Sequence, residues 1–225
     1  MQKVYFVSGL GADERVFADI KLAPSLQVVH IHWIRPFPSE PLSHYVKRLI
    51  SDQIDTTGPV CLVGLSFGGI ICQEIAKQIP CRKVVIISSV KSYREMSLSF
   101  RILRKMHLDK VFPISFLKFA NQLTAGYFFS PESEEEVKLL HQIIDDTDWV
   151  FSKWAIGELM RWKQETPPEN ILHLHGTEDR IFPVSSIKNY APLPGGHFMV
   201  LGRATEVSRL LNEAFLTSVV PNVEA

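Results

Sequence analysis

The chain has 225 residues, 46% of them hydrophobic and 21% charged, a globular composition with enough chain for one large core or a core with an insertion. Its 24 basic residues balance 24 acidic ones, so no cationic surplus exists to neutralise phosphates, and a nucleic-acid partner is excluded. No run approaches the roughly 20 apolar residues of a membrane span, the apolar start is too short for a signal peptide, and the odd cysteines Cys61, Cys72 and Cys81 read as buried thiols; the expectation is a soluble, cytoplasmic protein.

In chain order, short apolar runs rich in Val and Ile alternate with longer helical patterns. KVYFVS (3–8) predicts a strand and 12–22 a helix; QVVHIHW (27–33) a strand and 42–56 a helix; VCLVGL (60–65) a strand and 67–79 a helix; KVVIIS (83–88) a further strand. Near-continuous apolar strands are those of a parallel sheet with helices on both faces. Strand alternating with helix implies right-handed crossovers. The region 91–165 breaks the rhythm. It has no convincing strand and carries helical patterns at 133–144 and 149–162, with Ser133 a plausible N-cap and Glu136 three residues on. The rhythm resumes with ILHLHG (171–176), a weaker strand near 189–193 and a last helix over 203–217. Residues 1–90 and 166–225 therefore read as one core, with 91–165 a helical insertion between two of its strands.

Gly64-Leu65-Ser66-Phe67-Gly68 fits G-x-S-x-G. The pattern alone is weak, but here it joins a strand to a helix. A serine at that junction occupies a tight, strained turn that projects its Oγ clear of the sheet. The helix N-terminus behind it favours developing negative charge. A serine nucleophile needs a base within reach and an acid to fix the base's tautomer. Asp179 stands just beyond the strand 171–176, and His197 lies in the Gly-flanked loop PGGHF, in the order Ser, acid, His. All three fall at the carboxyl edge of the sheet, where ligands bind in open α/β folds. Glu178, adjoining Asp179, is the alternative acid. His30 with His32, and His173 with His175, share strand faces but lack a supporting ligand at metal-site spacing, so they read as core or edge histidines. His44, His107 and His141 read as surface or packing residues. The backbone N–H of Phe67 is one candidate oxyanion donor. That of Leu10, in the turn Ser8-Gly9-Leu10-Gly11, is the other.

SGLGADERVF (8–17), GLSFGG (64–69), HGTEDRIFP (175–183) and PGGHF (194–198) together resemble the α/β-hydrolase superfamily, in its small cap-bearing esterase and lipase-like branch. The resemblance covers nearly everything except 91–165, where such hydrolases carry a helical cap. It implies a cap that covers Ser66, Asp179 and His197 and shapes substrate choice, over the mostly parallel sheet, flanked by helices, that the apolar runs put at about six strands. There are two departures. The oxyanion loop begins Ser8-Gly9 in place of His-Gly, and the chain starts at what would be the family's third strand, without the antiparallel edge hairpin.

The expected function is cleavage of a small, apolar carboxylic ester through an acyl-enzyme on Ser66, needing no metal and no organic cofactor. The alternatives are a thioesterase, a C–C bond hydrolase or lyase of the same fold, or a ligand-binding module on a hydrolase scaffold. The insertion is aromatic: Phe112, Phe116, Phe119, Tyr127, Phe128, Phe129, Trp149, Phe151, Trp154 and Trp162. Phe128, Trp154 and Trp162 are the candidate pocket residues, with one of the two tryptophans turned toward Ser66. Any single ring of the set, taken alone, reads more readily as packing the insertion onto the core.

Overall fold

The computed structural model describes residues 1–97, 100 and 126–217. Six strands form one sheet: β1 (Gln2–Val7), β2 (Leu26–Ile31), β3 (Val60–Leu65), β4 (Cys81–Ile87), β5 (Ile171–Gly176) and β6 (Ala191–Leu193). Their order is β2-β1-β3-β4-β5-β6, and every neighbouring pair is parallel. The expected six-stranded sheet is therefore present, the weak final strand included. Chain order reverses at β1, next to β3, which leaves a crevice at the carboxyl ends of these two strands.

Among the described residues the longer helices are α1 (Leu42–Gln53), α2 (Phe67–Ala76), α3 (Glu134–Asp146), α4 (Trp149–Arg161) and α5 (Ala204–Leu216). β3 is buried along its whole length, and α2 is buried from Phe67 to Ile75. This is the central strand and helix of the layer, so the helical pattern read over 67–79 meets solvent only in its last turn. Alternate residues of the strands feed two cores. Tyr5, Val7, Leu62 and Ile86 pack with α1, α2 and α4; Val4, Phe6, Val63 and Val85 pack with α3 and α5. The neighbouring helices α3 and α4 thus belong to opposite faces of the sheet.

Local chemistry sets the ends of the insertion helices. Ser133 Oγ accepts from Glu136 N–H at 3.1 Å, while the Glu136 carboxylate accepts from Glu132 N–H at 2.7 Å, a capping box shifted by one residue. Asp148 caps α4 through Val150 and Phe151 N–H. One expected helix does not form. In place of 12–22 there is a single 3₁₀ turn, Glu14–Phe17. Pro24 disfavours helical backbone just before it, and Lys21 and Ala23 N–H donate to Ser208 and Asn212 of α5, which ties the end of the segment to that helix. His107, Phe112, Phe116 and Phe119 lie outside the described residues.

Candidate active site

Ser66 ends β3 and precedes the first turn of α2, at φ 52° and ψ −117°. A non-glycine residue there is strained, and close packing holds it in place. Ser66 N–H donates to Ile87 O at 2.8 Å, and Ser89 Oγ donates to Ser66 O at 2.7 Å. Gly68 makes the turn possible, since a Cβ on it would lie 2.2 Å from Val7 O. The result is a side chain raised above the sheet edge and only partly buried.

Asp179 and His197 come to Ser66 on two loops that leave β5 and β6. The Asp179 turn begins with its own N–H donating to Gly176 O, and Glu178 N–H donates to Gly195 O, tying the acid loop to the histidine loop. This arrangement turns Asp179 inward, 4% exposed, and Glu178 outward to solvent. Asp179 Oδ1 accepts from Ile181 and Phe182 N–H, and its Oδ2 meets His197 Nδ1 at 2.8 Å. His197 Nε2 lies 2.9 Å from Ser66 Oγ. An ionised carboxylate only accepts, so Nδ1 carries the imidazole proton and Nε2 presents its lone pair to the serine hydroxyl. Burial works against the Asp179 charge, but the facing His197 and the hydrogen bonds outweigh it and leave the carboxyl below its ordinary pKa.

The Oγ opens on a cavity of about 170 Å³. Leu10 and Phe67, the candidate oxyanion donors, both line it. Gly9 packs directly on Ser66, its Cβ position 3.5 Å from Ser66 Cβ. The rest of the wall is almost wholly apolar: Leu140, Ile143 and Ile144 of α3, Leu159 of α4, and Phe129, Ile181, Phe182 and Phe198 from loops.

None of the three expected pocket residues is among those lining this cavity. Trp154 has its ring 4.3 Å from Tyr45, and its indole N–H donates to Glu40 O. It approaches the site only through the edge of Phe67, at 6.4 Å. Trp162 is buried, its indole N–H donating to the Glu74 carboxylate. An indole that leaves water needs an acceptor, and these acceptors lie away from Ser66. Phe128 is 38% exposed, and Phe129 is the ring that reaches His197 instead, in an edge contact at 5.6 Å. The α3 face was legible as a helix stripe, but an apolar stripe does not declare whether it meets protein or a ligand.

The remaining histidines among the described residues are placed as packing or surface groups. His30 packs against Phe6 and Phe17, and His32 and His44 face Glu14 and Glu40. His173 and His175 are buried beside Asp179. Cys61, Cys72 and Cys81 are free thiols whose pKa values burial raises. Among the described residues no helix is long and apolar enough to cross a membrane.

Residues 4–210 match the model of the Alpha/beta hydrolase family. The chain belongs to the alpha/beta hydrolase family. Solved structures similar to this family member include a hydrolase from Oleispira antarctica, with a TM-score of 0.71, 14% identity and coverage of 97% of this chain and 92% of that one. A thermophilic esterase from Thermogutta terrifontis gives 0.68, 16%, 95% and 89%. A meta-cleavage product hydrolase from Pseudomonas fluorescens gives 0.63, 17%, 96% and 91%. At these identities the likeness is one of fold. No curated protein matches the chain by sequence.

Proposed function

We propose that this alpha/beta hydrolase is a serine esterase that cleaves a small, apolar carboxylic ester through an acyl-enzyme on Ser66. The observation that carries the reading is the unbroken chain from Asp179 through His197 to Ser66 Oγ, opening on an apolar cavity. Ser66 Oγ attacks the ester carbon while its proton passes to His197 Nε2. Asp179 stabilises the imidazolium that results. The negative charge on the carbonyl oxygen is taken by Phe67 N–H, at the start of α2, and by Leu10 N–H, on the loop packed against Ser66. Collapse expels the alcohol, which takes the proton back from His197. Water, activated by the same imidazole, then releases the acid.

Such a triad attacks an ester or a thioester alike, and the lining favours esters over charged carriers because a buried charge there would meet no partner. The test is hydrolysis of a p-nitrophenyl ester series beside acyl-CoA substrates, using wild type and Ser66→Ala. Ester turnover that Ser66→Ala abolishes supports the assignment. Preferred turnover of acyl-CoA would replace ester with thioester in it, and turnover that survives Ser66→Ala would overturn the nucleophile.

A further inference from the structure

Two buried histidines beneath the Asp179 turn take no part in the chemistry just described. His175, on β5, has a side chain with no exposure to solvent. Its Nε2 lies 2.8 Å from Phe182 O and 3.5 Å from Asp179 Oδ2. Its Nδ1 lies 3.0 Å from His173 Nε2. A carbonyl oxygen only accepts, so His175 Nε2 carries a proton. Burial lowers the pKa of His175 and pushes that of His173 down to about 2, so both rings are neutral. His175 Nδ1 must then accept, and His173 Nε2–H must donate to it. His173 Nδ1 is buried and has no hydrogen-bond partner among the described residues. The chain of protons has one direction, toward the acid turn.

The turn needs such support. Phe182 N–H donates to Asp179 Oδ1, while Phe182 O receives the His175 proton. The peptide units on either side of Phe182 thus join His175 to the carboxylate that faces His197. We propose that His175 is a positioning residue for the reaction, closing the turn through Phe182 and so holding the Asp179 carboxylate on His197, with His173 fixing its tautomer. The inference rests on the roles given above to Asp179 and His197. A catalytic carboxylate works only if it is held in one orientation, and a buried, fully directed hydrogen-bond partner supplies that. The titratable groups around this pair are Asp179 and His197 from the site loops, Lys91 and Glu95 from the segment after β4, and Tyr190, whose ring packs against both imidazoles.

The experiment combines spectroscopy and kinetics. In the wild-type protein, NMR of isotope-labelled histidine should show His175 protonated on Nε2 alone. A proton on Nδ1 instead would overturn the proposal without any variant. His175→Leu keeps an apolar filling but removes the donor. It should lower kcat/KM roughly 10- to 100-fold, the range usual for groups that orient a functional side chain, with the loss in kcat and little change in KM. An Asp179 that has turned away stabilises the His197 cation less, so the acid limb of the pH profile should move to lower pH. The low-field proton resonance of His197 Nδ1–H should weaken. His175→Gln, whose amide can still reach Phe182 O, should restore both limb and resonance. If His175→Leu does not fold, His173→Leu gives the same signs in milder form. Wild-type kcat and acid limb in a folded His175→Leu would refute the idea. So would equal impairment of the Leu and Gln variants with an unmoved limb, which marks simple packing. Failure of the esterase reading would show separately, as absent ester turnover in wild type, while the two resonances would still decide the positioning role.

Discussion

Asp179 and Glu178 are chemically equivalent neighbours, and the structure separates them by direction. Glu178 N–H is bound by Gly195 O, a partner 17 positions on, and that long-range bond decides which carboxylate faces inward. The sequence favours Asp179, just beyond the strand end, and keeps Glu178 as the alternative, but it does not mark the Gly195 partner. The expected outcome is asymmetric. Asp179→Asn should reduce kcat by orders of magnitude, because an amide presents a donor to His197 Nδ1 and favours the wrong tautomer. Glu178→Gln, in solvent, should leave kcat within about twofold. Steady-state kinetics on one ester checks both, and the reverse ranking would move the acid by one residue. Ser66 and His197 were legible for a related reason: glycines flank each, and glycine marks backbone that a side chain would obstruct. Trp154, Trp162 and Phe128 were not, because ring type says nothing of which acceptor an indole finds.

At the scale of elements, β1 to β5 and helices α1 to α5 announce themselves through apolar periodicity. The segment 12–22 keeps only one 3₁₀ turn, and at its end Lys21 N–H and then Ala23 N–H donate to α5 in place of a helical partner. On the proposed esterase reading, α3 is the helix that sets acyl-chain selectivity. Leu140, Ile143 and Ile144 form one side of the cavity at Ser66, whereas α4 sends Trp154 to Tyr45 and Glu40. Ile143→Ala should therefore shift the kcat/KM preference among p-nitrophenyl esters toward longer acyl chains, by about fourfold for each methylene newly accommodated at ~0.8 kcal/mol. Trp154→Ala should lower turnover of all chain lengths alike, together with thermal stability. A chain-length shift in Trp154→Ala and none in Ile143→Ala would place the acyl wall on α4 instead.

Taken as a whole, the molecule buries histidines that must stay neutral, and this links its stability to pH. His173 and His175 have folded pKa values below the ordinary value near 6.5. Below that pH the unfolded chain takes up protons that the folded chain refuses, so stability is full above about pH 7 and is lost as the pH falls. From pH 7.5 to 5.5 the loss amounts to about 1.4 kcal/mol for His173 alone. Asp179, whose pKa is lowered instead, contributes stability that persists until below about pH 4. Urea unfolding at the two pH values should show the decrease in wild type and a smaller one in His173→Leu; equal stability of wild type at both would contradict the burial argument. The parallel, six-stranded character of the sheet was legible from strand and helix alternation, whereas the strand order β2-β1-β3-β4-β5-β6 was not. The attachment of α3 and α4 to opposite faces was not, because it depends on contacts among residues far apart in sequence.

The central claim is that Ser66 Oγ is a nucleophile activated by His197. Reaction with a fluorophosphonate followed by intact-mass measurement and peptide mapping tests it most directly, since the reagent forms a stable bond to an activated serine oxygen and needs no knowledge of the substrate. The account predicts one adduct per chain, mapped to Ser66, absent in Ser66→Ala and formed far more slowly in a folded His197→Ala. No adduct on the wild type, or an adduct that persists in Ser66→Ala, would contradict it.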